Sequence, residues 1–321
     1  MRRVVVTGAA GYVGSVLCAG LLARGYEVIG IDKLLHGGRS LLSLMQHREF
    51  RFVRADIADT DTYGDLIDSG TMVVHLAAIV GEPASDKMPE ETQKTNVLST
   101  RRLIDLAVDK QARKLVFVST CSNYGKVPDG RMATEDDNLN PLSLYARTKV
   151  DVERYLTNEI AESVDWTILR FATVYGLSLR PRFDLTVNDF TLHAITDKKL
   201  VIYLPYSRRP YVHVRDAAGA LQLVLEKQKG TRWQIFNVGA SDANYRKVDI
   251  VDEIKRSVGE FSVEYVEKGT DLRDYAVNFD KIRGTLGFVP LRRVSQGVAE
   301  IARAIQDGIV KDYGNPEYYN A

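Results

Sequence analysis

The sequence predicts an α/β protein built on a doubly wound parallel sheet, with a smaller C-terminal lobe interleaved with it. Three observations carry that prediction. Short apolar strands alternate with helical patterns through the first half of the chain. A turn with glycine at positions 8, 11 and 14 joins the first strand to the first helix. After about residue 173 the alternation gives way to longer loops in which Arg180, Pro181 and Arg182, and then Arg208, Arg209 and Pro210, cluster.

Taken in order, the strand candidates are Arg3–Thr7, Glu27–Asp32, Phe50–Ala55, Met72–Leu76, Lys114–Ser119 and Trp166–Arg170. Helical patterns fall between them at Tyr12–Arg24, Asp61–Asp68, Thr92–Asp109 and Leu144–Ile160. Two more, Val248–Val258 and Val294–Gln306, close the chain. This order predicts a Rossmann-type sheet with helices on both faces and ligands at the carboxyl ends of the strands. The expected division is 1–172 plus about 211–240 for the dinucleotide-binding part, and 173–210 plus 241–321 for a substrate lobe.

Composition narrows the function. The 321 residues suffice for a large core, and apolar residues make up 45% against 26% charged. Lys plus Arg number 43 and Asp plus Glu 42, a net charge of +1 that suggests neither a nucleic-acid nor a membrane partner. No apolar run approaches the roughly 20 residues of a membrane span, and the N-terminus enters a strand at once. With only Cys18 and Cys121 present, a reducing, cytoplasmic setting is expected.

The glycine turn is the first chemical signal. Gly8 permits the tight turn, Gly11 lets backbone approach phosphates, and Gly14 lets the helix pack close to the strand. The amides of Tyr12, Val13 and Gly14 at the helix N-terminus then face an anion. Asp32 ends the second strand, 18 residues after Gly14. An acid there hydrogen-bonds adenosine ribose hydroxyls and repels a 2′-phosphate, which favours NAD over NADP. Lys33 partly offsets that preference, and Asp56-Ile57 reaches toward the adenine.

Tyr145 and Lys149 stand at i and i+4, on one helical face. A free tyrosine has a pKa near 10, so a neutral-pH base must fall by about 3 pH units, roughly 4 kcal/mol. A nearby ammonium and a positive nicotinamide both favour the phenolate. The preceding strand delivers Ser119-Thr120-Cys121-Ser122 to the same rim, where the Thr120 hydroxyl can orient a substrate alcohol or carbonyl. His75 and His213 lie in strand patterns without companion ligands and are read as structural; no metal site is expected.

Together these pieces resemble the extended short-chain dehydrogenase/reductases of the nucleotide-sugar epimerase/dehydratase family. The matching runs are Thr7–Gly14, Asp32, Asp56-Ile57, His75-Leu76-Ala77-Ala78, Asn96, Ser119–Gly125, Tyr145 with Lys149, and Arg170–Gly176. Further on come Arg209–Asp216, Asn237-Val238-Gly239 and Leu286–Pro290, so the likeness spans essentially the whole chain. It implies bound NAD, Tyr145 as acid/base, Lys149 on the cofactor ribose, Thr120 in the Ser/Thr role, and hydride transfer at a sugar C4. It also implies that Leu76, Ala77, Ala78 and Asn96 contact the cofactor, and that Arg209 and Arg273 contact a nucleotide-sugar diphosphate.

Departures limit the assignment. Family 4,6-dehydratases carry Asp and Glu directly after the Thr, where this chain has Cys121 and Ser122, so dehydration is not expected. Thr173 replaces the usual Asn. The loop holding Arg180, Pro181, Arg182, Phe183 and Asp184 and then Val187, Asn188, Asp189 and Phe190 resembles, more loosely, a branch with nucleotide-heptose 4-dehydrogenases. Cys121, Ser122, Thr173, Arg182 and Asn188 are therefore candidate substrate contacts. Epimerase, 4-dehydrogenase and 4-ketoreductase all remain open, as does a non-catalytic NAD-binding sensor or scaffold. By the same resemblance, a homodimer through a four-helix bundle is expected from Thr92–Asp109 and Leu144–Ile160; Val97, Leu103, Ile104 and Val108 stand at helical spacing, which suits a dimer seam or the monomer core equally.

Overall fold

The computed structural model describes residues 2–227, 229–269 and 273–320. Seven strands form one parallel sheet: β1 (Arg3–Thr7), β2 (Glu27–Asp32), β3 (Phe50–Arg54), β4 (Thr71–His75), β5 (Lys114–Thr120), β6 (Trp166–Phe171) and, after an excursion, β10 (Gln234–Val238). Their order across the sheet is β10-β6-β5-β4-β1-β2-β3. The chain runs outward from β1 to β3 and then restarts on the other side of β1 with β4. That reversal opens a crevice above the carboxyl ends of β1 and β4, the usual ligand position in such sheets.

Side-chain alternation divides the sheet into two layers. Val4, Val6, Val28, Met72, Val74 and Val116 face one core with Leu17, Cys18 and Leu21 of the Tyr12–Leu22 helix and Leu221 and Val224 of the Val214–Glu226 helix. Val5, Ile29, Ile31, Val73, Leu115 and Phe117 face the other, with Leu103, Ile104 and Ala107 of the Thr100–Asp109 helix and with Val152 and Leu156. Strands covered on both faces become continuous apolar runs, which is why Val4–Val6 reads so strongly.

The excursion between β6 and β10 builds β7 (Thr173–Tyr175), β8 (Lys199–Tyr203) and β9 (Arg208–His213). Later come β11 (Asn244–Arg246) and β12 (Ser262–Val266). β9 pairs with β7 in parallel and with β11 antiparallel, while β8 and β12 form a separate parallel pair. Helices Thr186–Thr196, Lys247–Val258 and Val294–Gln306 pack around them through Val187, Ile250, Ile254 and Val298.

Two expected helices are broken. In place of Thr92–Asp109 the chain has Pro89–Gln93, a wide π turn over Lys94–Ser99, and Thr100–Asp109. The Ser99 and Thr100 hydroxyls donate to the carbonyls of Lys94 and Thr95, five residues back, which suits the widened turn. Leu144–Ile160 likewise becomes the helix Leu144–Arg154 followed by a π turn over Tyr155–Ile160. Asp61–Asp68 is only a turn at Thr60–Tyr63 and a tighter one at Gly64–Leu66, since Gly64 is a poor helix former. Where the sequence predicts longer loops after about residue 173, the chain forms β7, the Thr186–Thr196 helix, β8 and β9, because arginines and prolines hide their short periodicities.

Candidate active site

Gly8 has φ +74°, and its amide donates to Ile31. A Cβ on Gly14 would lie 2.0 Å from the Gly8 carbonyl oxygen, so the helix can begin this close to the turn only with glycine there. Gly11 caps the helix without a side-chain bond, leaving first-turn amides available to an anion. The loop after β7 is stitched to this turn: Tyr12 OH donates to Gly176 O at 2.5 Å and Ser178 Oγ to Tyr12 O at 2.6 Å.

At the end of β2, the Asp32 carboxylate accepts from the amides of Ala10 (3.0 Å) and Leu34 (2.8 Å). Burial pushes this carboxyl above its usual range, against the pull of those amides and of Arg180. Lys33 is tied to Asp56 at 3.2 Å and to Glu91 at 3.7 Å, so its ammonium is engaged away from a 2′-phosphate. Burial acts to raise Asp56, but the Ala58 amide and Lys33 bring it below its usual value. His36, beside these groups, is pushed down to about 4 by burial and by Arg180 and Arg182.

A cavity of about 600 Å³ runs from this point to the carboxyl end of β5. Gly8, Gly11, Tyr12, Val13, Gly14, Asp32, Lys33, Asp56, Ile57, Leu76, Ala77 and Ala78 line it, as do Thr120, Ser122, Tyr145, Lys149, Thr173, Arg182 and Arg273. Ser143 caps the helix that carries Tyr145, accepting from the Ala146 amide at 3.2 Å. Lys149 Nζ donates to Val118 O at 2.9 Å and stands 5.9 Å from the centre of the Tyr145 ring. Thr120 Oγ1 accepts from the Ser122 amide at 3.1 Å and pairs with Ser122 Oγ at 2.9 Å.

The electrostatics differ from expectation. Burial pushes Tyr145 up to about 12, and the cation that opposes it is Arg182 rather than Lys149. Burial also pushes the Lys149 amine down to about 8, with Glu153 pulling upward. Near neutral pH the Tyr145 side chain is thus a phenol.

Four expected contacts lie off the cavity wall. Cys121 is buried, with its thiol on Arg170 O at 3.2 Å, because the tight turn after β5 sends position 121 inward and 122 outward. Asn96 holds Ile79 through its backbone N–H (2.8 Å) and carbonyl (2.9 Å), so it shapes the wall rather than forming it. Asn188 is consumed by Gly176 N, Arg182 O and Tyr12 OH. Arg209 donates to the carbonyls of Arg208 and Arg273 and packs 5.1 Å from the Tyr275 ring, behind the two residues, Arg273 and Tyr275, that do line the cavity.

Other lining residues were missed. Arg180 donates to Glu317 O (2.9 Å), Asn320 Oδ1 (2.8 Å) and Tyr319 O (3.1 Å), and Asn320 Nδ2 reaches Val80 O at 3.2 Å. Residues 316–320 thereby form a strap at the cavity, joining the loop that holds Arg180 to the segment after β4. The Arg180-Pro181-Arg182 cluster was visible, but no sequence signal links it to residues 137 or more positions away. Arg182 is held by Asp184 at 2.7 and 2.9 Å. Buried His75 bridges Thr7 (2.7 Å) and Thr100 (2.9 Å), and His213 meets Glu300 at 2.7 Å; neither lines the cavity. Among the described residues no cluster of His, Cys, Asp or Glu could hold a metal ion, and no helix is long and apolar enough to cross a membrane.

The sheet order, the glycine cradle and a Tyr–Lys pair in one cavity define a dinucleotide-binding protein of the redox-active Rossmann class. Residues 4–239 match the NAD dependent epimerase/dehydratase family, and the chain belongs to it. It is 32% identical over 308 residues to the UDP-glucose 4-epimerase of Mycolicibacterium smegmatis, covering 93% of this chain and 96% of that one. It is 31% identical over 314 residues to a dTDP-glucose 4,6-dehydratase of Streptomyces griseus, covering 92% of each. The solved UDP-glucuronic acid 4-epimerase of Bacillus cereus, in complex with UDP-glucuronic acid and NAD, superimposes with a TM-score of 0.84 at 27% identity, covering 95% and 99%. NAD is the family's cofactor, and the Gly8–Gly14 cradle and Asp32 fit it. The relatives include both epimerases and dehydratases.

Proposed function

We propose that this protein oxidises a nucleotide-diphosphate sugar at C4 and reduces the keto sugar again in the same site, as an epimerase does. One observation carries the reading: Thr120, Tyr145 and Lys149 line the same cavity as the glycine cradle, and so do the guanidinium groups of Arg182 and Arg273. Bound NAD supplies the hydride acceptor. Thr120 orients the C4 hydroxyl, and Tyr145 takes its proton as the carbonyl forms. Arg182 and the positive nicotinamide ring favour the phenolate that this step needs. Lys149, fixed on Val118 O, is placed for the nicotinamide ribose. Arg273 offers a planar fork suited to diphosphate oxygens.

The strap over residues 316–320 favours recycling, since a cofactor held beneath it leaves slowly. A 4-dehydrogenase or 4-ketoreductase with net cofactor turnover uses the same residues and is the second reading. Dehydration across C5 and C6 is disfavoured because neither Cys121 nor Ser122 carries a carboxyl. A panel of nucleotide sugars, followed at the NADH absorbance and by NMR of the sugar, tests the reading. Epimerised sugar without net NADH supports it, and stoichiometric NADH favours the dehydrogenase. Tyr145→Phe should abolish turnover while NAD stays bound; unchanged cellular function with unchanged NAD binding in that variant would favour the sensor or scaffold instead.

A further inference from the structure

We propose that Glu82 is a latch on the substrate part of the cavity, holding Arg273 until the phosphate groups of the substrate displace it. This rests on the reading of Arg273 given above and adds a determinant of what can enter. Glu82 Oε2 lies 3.0 Å from Arg273 Nη2, and both side chains are 22% exposed. Both residues line the cavity. Glu82 opens the Glu82–Lys87 helix on the large-sheet side, where Gly81 at φ +98° turns the chain and Pro83 fixes the first helical turn. Arg273 follows β12 on the other side. Its carbonyl is gripped by Arg209, and its neighbour Asp274 is held by Arg208 through the backbone amide (2.9 Å) and Nε (3.0 Å). The two anchors are therefore fixed independently, and the ion pair spans the gap between them.

The chemistry of the pair makes it displaceable. A guanidinium binds carboxylate and phosphate oxygens with the same fork of donors. The Glu82 carboxylate thus occupies the direction from which a phosphate would approach Arg273. A diphosphate brings more charge than the single carboxylate and cannot share the fork with it without like-charge repulsion. A neutral sugar offers no such exchange, so the latch selects for the charged, nucleotide-linked form.

The test uses the NAD-loaded protein and calorimetric titration with UDP, dTDP, GDP, ADP and inorganic pyrophosphate. Glu82→Gln should tighten binding of the accepted nucleoside diphosphate about two- to fivefold, the scale of a partly exposed ion pair. The gain should shrink as salt rises. With the full nucleotide sugar, the change should fall on KM and not on kcat. In the Arg273→Gln background the gain should vanish, because the two substitutions act on one contact. Unchanged or weaker binding in Glu82→Gln would overturn the latch while leaving the substrate class intact. A gain that persists without Arg273 would overturn it too, since simple repulsion would then suffice. If none of the probes binds either form, the nucleotide-sugar reading falls and the latch with it.

Discussion

Lys149 shows how burial sets the charge of a single side chain. Its amine sits over the Phe117 ring at 4.8 Å and titrates near 8, because burial penalises the ammonium more than Glu153 rewards it. The ammonium is present below about pH 8 and lost above it, so a step that needs positive charge beside Tyr145 should slow as pH rises past that value. A pH profile of kcat/KM should therefore show an alkaline limb near 8, and Lys149→Arg, which keeps its charge, should move that limb upward at reduced rate. Gly14 is governed by space instead. With its Cβ 2.0 Å from a backbone oxygen, Gly14→Ala must push the helix off the turn. We expect a loss of about 1–3 kcal/mol in denaturant unfolding, as for other overpacked sites, and purified protein without bound NAD.

At the level of elements, the ends of β5, β6 and β10 are joined beneath the cavity by a buried polar network. Arg170 Nη2 donates to Glu153 Oε2 at 2.7 Å, and Arg170 Nη1 to Tyr124 OH at 2.9 Å. Tyr124 OH donates to Asn237 Oδ1 at 2.8 Å, and Asn123 Nδ2 to Glu153 Oε1 at 2.9 Å. Glu153 lies one helical turn beyond Lys149 and two beyond Tyr145, so the face that presents the proposed chemistry is anchored by this pair. Removing one partner leaves an uncompensated buried charge. Glu153→Ala should cost about 3–5 kcal/mol in chemical denaturation, far more than a surface charge would. The π turn over Lys94–Ser99 has a comparable task, since it carries the Asn96 that fixes the cavity wall at Ile79.

For the whole molecule, we propose the homodimer through the paired helices, on the face that the monomer core leaves exposed. Val97, Leu103 and Ile104 are buried within the protein's own core and Val108 packs against it. The outer face presents Leu98, which is 55% exposed, and the Arg101 guanidinium stacked 4.6 Å from the Tyr155 ring. Light scattering at micromolar concentration should give twice the chain mass, and Leu98→Asp should shift it toward the monomer. Much of this architecture was legible in the chain. A continuous apolar run at Val4–Val6, a glycine turn and an i, i+4 Tyr–Lys pair are local patterns, and local geometry alone turns them into a buried strand, a tight turn and one helical face. Contacts between distant segments were not legible. Cys121 and Ser122 differ by one position, and only the turn after β5 decides which side chain meets the cavity. Asn188 and Arg209 look like ligand contacts until their partners fold around them, and Arg180 looks like surface until the 316–320 segment arrives. The sequence by itself determined the fold class, the glycine turn and the residues proposed here to move a proton, because each depends on neighbours a few positions apart. The tertiary structure alone decided which polar groups face the cavity and which are spent holding it together, because hydrogen-bond partners far apart in sequence compete for the same side chains.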